Sequence, residues 1–228
     1  MFKPKVKTNI DTNFIKIVAI ISMFIDHIGL VFFPQYSIFR WIGRISFPLF
    51  CYCMTIGIIY TSNINKYILR IFLFALISQL FYILAFKLNI FTPNIFFTLL
   101  ISLIGMKSFI EKNLFIFIIS VLILFFGNLD YNINGLVLMI IFYVFREKPL
   151  LSSIIYILTY IPGLFAEKTY LSLCIGNFNI APQTFSIFAL PFIYIKTNIK
   201  IDIPKIFFYI FYPAHLIFIF IMRIIFNV

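Results

Sequence analysis

Long apolar runs separated by short polar segments recur along the whole sequence, and they constrain its fold more than any other feature. As a helix, the first run, residues 14–33, is long enough to cross about 30 Å of lipid hydrocarbon. The runs are continuous, whereas the strands of a membrane barrel alternate apolar and polar residues. Because 63% of the 228 residues are hydrophobic and 11% are charged, a soluble domain could not cover so much apolar surface. The sequence therefore predicts an all-α, polytopic transmembrane helix bundle.

We predict nine membrane spans in a single domain over residues 1–228, since no internal repeat and no long polar linker divides the chain. Three of the spans, the fourth to the sixth, are short, so tilted and partly re-entrant arrangements both stay open for them. The predicted spans are residues 14–33, 41–60, 68–86, 95–109, 113–127, 134–146, 150–166, 180–195 and 206–226.

The basic residues are scattered one to three at a time between the apolar runs, although the net charge is +11. This pattern is typical of loops that set membrane topology, so we expect no nucleic-acid partner. With the N-terminus inside, 13 of the 18 Lys and Arg residues fall in inside segments. The positive-inside rule therefore predicts a cytoplasmic N-terminus and, after nine spans, an outside C-terminus. Lys3, Lys5 and Lys7 precede a run too long for a signal peptide, so we expect a retained first helix.

Asp26 and His27 stand side by side inside the first apolar run. On a helix that runs outward from residue 14, His27 falls about 20 Å from the inner edge, in the extracytoplasmic half of the membrane. An ionisable pair inside a span is costly and is by default a functional-site hypothesis. A carboxylate that holds a histidine in one tautomer is the usual arrangement for a general base. The alternative is a structural hydrogen-bond pair between helices.

Arg40 and Arg44 are four residues apart near the outer end of the second span, so both guanidinium groups are expected on one helix face. At that level they could bind a carboxylate, a phosphate or Asp26 itself. The alternative is anchoring at the membrane interface beside Trp41, which fits the deeper Arg44 less well.

Further polar residues interrupt later spans. Asn94 and Thr98 are four residues apart at the start of the fourth span, and Gln183 begins the eighth; each could simply cap or hydrogen-bond a helix. Tyr212 and His215 flank Pro213 in the last span, where His215 falls about 13 Å deep, near the bilayer midplane. Both histidines of the sequence are thus predicted to lie within the membrane.

Several kinds of site have no signal in the sequence. It contains no G-x-S-x-G, P-loop, H-E-x-x-H or dinucleotide glycine pattern, which disfavours the enzymes that carry them. Cys51 and Cys53 are two residues apart and point to different faces of a helix, so they are expected to be plain buried residues; Cys174 falls in the outer loop at residues 167–179. We predict no metal site.

Taken in order, these residues resemble the TraX family of pilin-acetylation membrane proteins, from about residue 11 to residue 223. The matching pieces are Ile25-Asp26-His27-Ile28-Gly29, Arg40-x-x-Gly43-Arg44-x-Ser46-Phe47-Pro48, Tyr67-x-x-Arg70, Phe74 to Gln79, Asn94 to Leu99, Asn134-Gly135, Gln183 and Tyr209-x-Phe211-Tyr212-Pro213-x-His215-Leu216.

The resemblance implies a multi-pass enzyme of the bacterial cytoplasmic membrane. Such an enzyme would move an acetyl group from cytoplasmic acetyl-CoA to an amine or hydroxyl on the far side, either a pilin-like peptide N-terminus or an envelope sugar. By resemblance His27 is the general base and Asp26 its orienting partner. Arg40, Arg44 and His215 follow as further site members. Arg44, Asn94 or Gln183 could donate to the oxyanion, and Thr98 and Tyr212 complete the predicted substrate-binding set.

Acetyl-CoA is then a co-substrate, with no bound cofactor, and the other expected partners are membrane lipid and the peptide or glycan acceptor. Direct transfer is favoured over an acyl-histidine intermediate. Two other functions stay open. One is a proton-coupled transporter whose path includes Asp26, His27 and His215, although no internal symmetry supports it. The other is a non-catalytic membrane assembly factor.

Overall fold

The computed structural model describes residues 5–164, 169–175, 178–199 and 201–227, so Lys3 lies outside the described residues. It is mostly helical, which confirms the predicted all-α class. The α-helices are α1 (Thr12–Phe32), α2 (Ser37–Gly43), α3 (Ser46–Tyr60), α4 (Ile64–Phe86), α5 (Ile95–Ile110), α6 (Leu114–Phe126), α7 (Asn134–Val144), α8 (Pro149–Leu158), α9 (Leu190–Tyr194) and α10 (Lys205–Phe226).

Within the described part of the chain, four helical stretches are long and apolar enough to cross a membrane: α1, Ser37–Tyr60 (α2 with α3), α4 and α10. The apolar helices α5 to α8 are shorter, at 10–17 residues. At about 1.5 Å per residue, such helices fall short of a full crossing unless the bilayer thins or turns extend them. The count of nine spans and the cytoplasmic N-terminus therefore stay predictions.

The predicted span at residues 41–60 contains a break, because turn residues at 44–45 separate α2 from α3. Pro48 explains the break, since it has no N–H to donate to the carbonyl four residues back, at Arg44. That carbonyl instead accepts a hydrogen bond from Ser186 Oγ at 2.9 Å. The Ser46 hydroxyl donates to the Gly43 carbonyl at 2.7 Å, which satisfies a second carbonyl of the turn.

The predicted spans at residues 150–166 and 180–195 also differ from continuous long helices. After α8 a 3₁₀ turn follows at Ile161–Leu164, and residues 165–166 lie outside the described part of the chain. Residues of the eighth predicted span form a 3₁₀ helix, Pro182–Ala189, followed by the five-residue α9. Pro182 and Pro191 stand in the first turns of these two pieces, where a missing N–H costs little. Because Pro191 falls inside the predicted span, it prevents one unbroken α-helix there. Between these regions a short antiparallel hairpin pairs Leu173–Ile175 with Phe178–Ile180.

The chain divides into two compact units. Unit 1 contains residues 1–53 and 141–203, and unit 2 contains residues 54–140 and 204–228. In unit 1, α1 packs on α2, and α2 packs on the 3₁₀ helix Pro182–Ala189. In unit 2, α4 packs on both α5 and α10, and α5 packs on α6. The expectation of a single domain over residues 1–228 stays a prediction.

Candidate functional site

The helix that carries Asp26 and His27 begins with a well-defined cap. Asp11 is the N-cap of α1, and its side chain accepts a hydrogen bond from the Phe14 backbone N–H at 3.3 Å. On α1, Asp26 is buried and His27 is half-buried. Neighbouring residues on a helix are about 100° apart, so the two side chains leave α1 in different directions.

Asp26 forms a compact ionic cluster with two arginines, Arg40 of α2 and Arg44, which is the C-cap of α2. Its Oδ2 lies 2.6 Å from Arg40 Nη1, and Arg44 Nη2 lies 3.0 Å from Oδ1 and 3.1 Å from Oδ2. The side chains are largely buried, with 9% of Asp26, 10% of Arg44 and 20% of Arg40 exposed. A buried carboxylate with charge-assisted bonds on both oxygens is held firmly in one geometry.

The spacing of four residues thus places both arginines on one face, as the sequence predicts. Of the three partners that the sequence allowed for them, the structure shows Asp26 itself. The Asp26 carboxylate faces these guanidinium groups, so its role as the orienting partner of His27 stays a prediction. The same holds for substrate binding by Arg40 and Arg44.

Two glycines allow α1 and α2 to approach closely enough for this cluster to form. A Cβ added at Gly43 would overlap the Asp26 carboxylate, and one added at Gly29 would overlap the Phe39 side chain. Both positions occur in the motif pieces, but only the packing of α1 on α2 explains why glycine is needed there.

Further contacts fix α2 within unit 1. The Trp41 ring stacks on Phe185 at 4.7 Å between ring centroids, and its Nε1–H donates to the Leu171 carbonyl at 2.7 Å. Together with the bond from Ser186 to the Arg44 carbonyl, these contacts hold the helix that carries the ionic cluster against the 3₁₀ helix Pro182–Ala189. Sequence reasoning missed Ser186, and the only signal for it is Pro48, which leaves the Arg44 carbonyl without its helical partner.

Gln183, the remaining predicted site residue of unit 1, lies in the first turn of the 3₁₀ helix and is exposed. The described residues show no contact that joins it to the ionic cluster.

In unit 2, Asn94 has a structural role that the sequence only partly indicated. It is the N-cap of α5, where its Oδ1 accepts from the Phe96 N–H at 3.0 Å. Its Nδ2 donates to the Ala75 carbonyl and to Gln79 Oε1, both at 2.8 Å. Because both amide hydrogens are already used, Asn94 could donate to an oxyanion only by giving up one of these bonds.

Thr98 also has an internal partner, since its hydroxyl donates to the Asp130 carbonyl at 2.9 Å. Asn94 and Thr98 therefore tie the start of α5 to α4 and to the turn before α7. These contacts correspond to the alternative that the sequence left open for this pair, in which each residue caps or hydrogen-bonds a helix.

Tyr212 and His215 are brought together on α10, and both are buried. The His215 ring stacks on Phe211 at 5.5 Å and meets the Tyr212 ring edge-on at 5.2 Å. His215 Nδ1 lies 3.1 Å from the Phe211 carbonyl. A carbonyl only accepts, so Nδ1 carries the hydrogen, and in the neutral imidazole the lone pair is on Nε2. His215 is thus in the tautomer that could take a proton through Nε2.

Among the described residues, no three His, Cys, Asp or Glu side chains lie close enough together to hold a metal ion. Cys51 and Cys53 are buried, which confirms the expectation for this pair, and Cys174 is exposed. Cys174 lies in the hairpin strand Leu173–Ile175.

Comparison with known proteins identifies the family. The family model described as TraX protein matches residues 11–223. The probable fimbrial assembly protein FimC, serogroup H1, of Dichelobacter nodosus is 34% identical over 106 residues, which cover 40% of this chain and 43% of that protein. An uncharacterised protein of Rickettsia prowazekii (strain Madrid E) is 37% identical over 89 residues, or 39% of this chain and 33% of that protein.

The aligned region thus spans less than half the length of either curated relative. No solved structure gives a significant match. The family model, in contrast, covers nearly the whole chain and includes every candidate site residue from Asp26 to His215. This confirms the resemblance seen in the sequence, and the chain belongs to the TraX protein family.

Proposed function

We propose that this protein is an integral-membrane acyltransferase of the bacterial cytoplasmic membrane. It moves an acetyl group from cytoplasmic acetyl-CoA to an amine or hydroxyl on the extracytoplasmic side, with a pilin-like peptide N-terminus or an envelope sugar as the acceptor. The observation that carries the proposal is the TraX family match over residues 11–223.

In this mechanism His27 takes the proton of the acceptor amine or hydroxyl as it attacks the thioester carbonyl. The new bond joins the acceptor nitrogen or oxygen to the acetyl carbon, the bond from that carbon to sulfur breaks, and CoA leaves as the thiol or thiolate. A general base of this kind contributes about 10²–10⁴-fold to the rate. The half-burial of His27 on α1 is compatible with access for an acceptor.

The ionic cluster supports this role indirectly. Asp26 precedes His27 on the same helix, and its bonds to Arg40 and Arg44 fix that stretch of α1 against α2. A base must be held close to its working geometry, because small misplacements are costly in rate. We therefore propose that Asp26, Arg40 and Arg44 act mainly by positioning His27. Contact of the two arginines with substrate stays a prediction.

A non-catalytic role in assembly is the second candidate, and the name of the Dichelobacter relative, a probable fimbrial assembly protein, favours it. The two candidates differ in one expectation. An assembly factor would keep its function when His27 is replaced by a residue that cannot take a proton.

The decisive experiment measures acetyl transfer or thioester hydrolysis by purified protein in liposomes that contain radiolabelled acetyl-CoA. We expect His27→Ala to lower turnover by about 100-fold or more, the usual size of a lost general base. The matched control is Glu111→Gln, which changes the charge of an exposed side chain at the far end of α5 and should keep turnover within about twofold.

Each outcome separates the candidates. Label that stays on the protein and disappears in His27→Ala would support an acyl-histidine route instead of direct transfer. Wild-type turnover that His27→Ala leaves unchanged would remove His27 as the base. Neither binding nor turnover of acetyl-CoA by the wild-type protein would favour the assembly factor or the transporter.

A further inference from the structure

The Tyr212 hydroxyl is a buried polar group without a hydrogen-bond partner among the described residues. Tyr212 is 3% exposed, and no described atom pairs with its oxygen. Tyrosine hydroxyls that are buried in apolar surroundings usually find a partner, and leaving one unpaired costs stability. A hydroxyl held in this state therefore indicates a position that a ligand oxygen fills.

The Tyr212 hydroxyl points toward the first turn of α5. The Tyr212 ring packs against Phe96 at 4.6 Å, and its hydroxyl approaches the backbone N–H of Ile95, the first residue of α5, without completing a hydrogen bond of normal geometry. The first N–H groups of a helix have no partner within the helix and carry partial positive charge. Asn94 caps only the Phe96 N–H, so the Ile95 N–H remains directed toward this space.

Ser78 supplies a second hydroxyl of the same kind. It is fully buried, and its Oγ has no partner among the described residues. On α4 it shares a face with Ala75, whose carbonyl accepts from Asn94 Nδ2, and with Tyr82, whose hydroxyl donates to Asp130 Oδ2 at 3.4 Å. On this face of α4, Ser78 lies between Ala75, which bonds the N-cap of α5, and Tyr82, which is close enough to act electrostatically on Tyr212.

We propose that Tyr212, Ser78 and the first turn of α5 bind the carbonyl oxygen of an acyl thioester. Two hydroxyl donors and a helix N-terminus suit an oxygen that only accepts hydrogen bonds. The Asp130 carboxylate is close enough to act electrostatically on Tyr212, which disfavours an anionic carboxylate or phosphate at this position. An uncharged carbonyl avoids this repulsion. The identity of the ligand as a thioester rests on the proposed acyltransferase function.

The test has two parts, and the first needs no ligand. Tyr212→Phe removes only the unpaired hydroxyl, so the unfolding temperature in detergent should stay the same or rise. Tyr156→Phe is the matched control, because the equally buried Tyr156 hydroxyl donates to the Ser186 carbonyl at 2.6 Å, and losing that bond should lower the unfolding temperature. An equal fall in both variants would show that Tyr212 has a structural partner, and would overturn the proposal.

The second part measures binding of acetyl-CoA and of CoA, which lacks the acyl carbonyl, to the same proteins. We expect the wild type to prefer acetyl-CoA by about tenfold or more, the ratio that corresponds to about 1.4 kcal/mol. Tyr212→Phe should reduce this preference to about twofold or less while leaving the affinity for CoA unchanged, and Ser78→Ala should reduce it in part.

Failures of the two proposals are distinguishable. If the wild type binds acetyl-CoA more tightly than CoA and Tyr212→Phe keeps that preference, the carbonyl site is wrong and the acyltransferase proposal stands. If the wild type binds neither compound, the acyltransferase proposal fails, and the assignment of this site to a thioester fails with it.

Discussion

At the scale of single residues, Asp26 neutralises the two largely buried guanidinium charges of Arg40 and Arg44. Its carboxylate accepts from both Arg40 and Arg44 in a place with little water. Breaking a buried ion pair costs about 3–5 kcal/mol, because it leaves a charge without compensation. The cluster in turn requires the backbone of Gly43 to lie directly against the Asp26 side chain.

The variant Gly43→Ala tests that requirement. Its methyl group would overlap the carboxylate and force the ionic cluster apart, so we expect a loss of about 3 kcal/mol in unfolding free energy. The control is Gly57→Ala, where the nearest atoms belong to the end of the Tyr67 ring, at 3.1 Å, and can move aside. Helix propensity favours alanine by about 1 kcal/mol, so this control should be neutral or stabilising. Equal unfolding curves for the two variants would contradict the close packing at Gly43.

At the scale of elements, the start of α5 shows how one side chain joins two helices. Asn94 caps α5 and also donates twice to α4, at the Ala75 carbonyl and at Gln79. A capping bond is worth about 1 kcal/mol, and buried partners left unpaired add about 1–3 kcal/mol.

Asn94→Ala and Asn113→Ala form a matched pair for this element. Asn113 caps α6 through the Ile116 N–H at 3.2 Å, but its side chain is exposed and, among the described residues, bonds no other helix. We therefore expect losses of about 1 kcal/mol for Asn113→Ala and of about 2–4 kcal/mol for Asn94→Ala. Denaturation in mild detergent measures both. Equal losses would mean that the bonds from Asn94 to α4 add no stability. The Asn94 amide would then be available for the predicted contact with substrate.

At the scale of the whole molecule, the predicted topology requires the short helices to cross the membrane. Helix α5 has 16 residues, or about 24 Å, which is less than the usual hydrocarbon thickness of about 30 Å. The predicted topology nevertheless places residues 87–94 outside and residues 110–112 inside.

Single cysteines on either side of α5 test this crossing in cells that carry Cys174→Ser, which removes the exposed native thiol. Phe91 is 89% exposed and Glu111 is also exposed, so both positions accept a label. A membrane-impermeant maleimide should label Phe91→Cys in intact cells and Glu111→Cys only after permeabilisation. Labelling of both cysteines in intact cells would show that the two ends of α5 lie on the same side of the membrane. The Cys174→Ser parent, whose remaining cysteines are buried, should stay unlabelled.

Some features of this protein follow from the sequence alone. Apolar runs dictate a helical membrane protein, because backbone N–H and C=O groups in lipid must be satisfied within each segment. The ordered polar motifs were sufficient to indicate the TraX family, and the spacing of Arg40 and Arg44 placed them on one face. The first and third inferences rest on the composition of a segment or on helical periodicity, which are local properties, and the family inference rests on the order of short motifs along the chain.

Only the tertiary structure decided the partners. Three features depend on which helices pack together and how closely. Asp26 faces two arginines, the Asn94 amide bonds both α4 and α5, and the Tyr212 hydroxyl has no hydrogen-bond partner among the described residues. Pro48 shows the same division, since the sequence reveals its missing N–H but not that Ser186 compensates at the Arg44 carbonyl. Hydrogen-bond partners far apart in sequence are selected by packing within each unit, whereas membrane insertion and helix formation are selected by the residues of each segment.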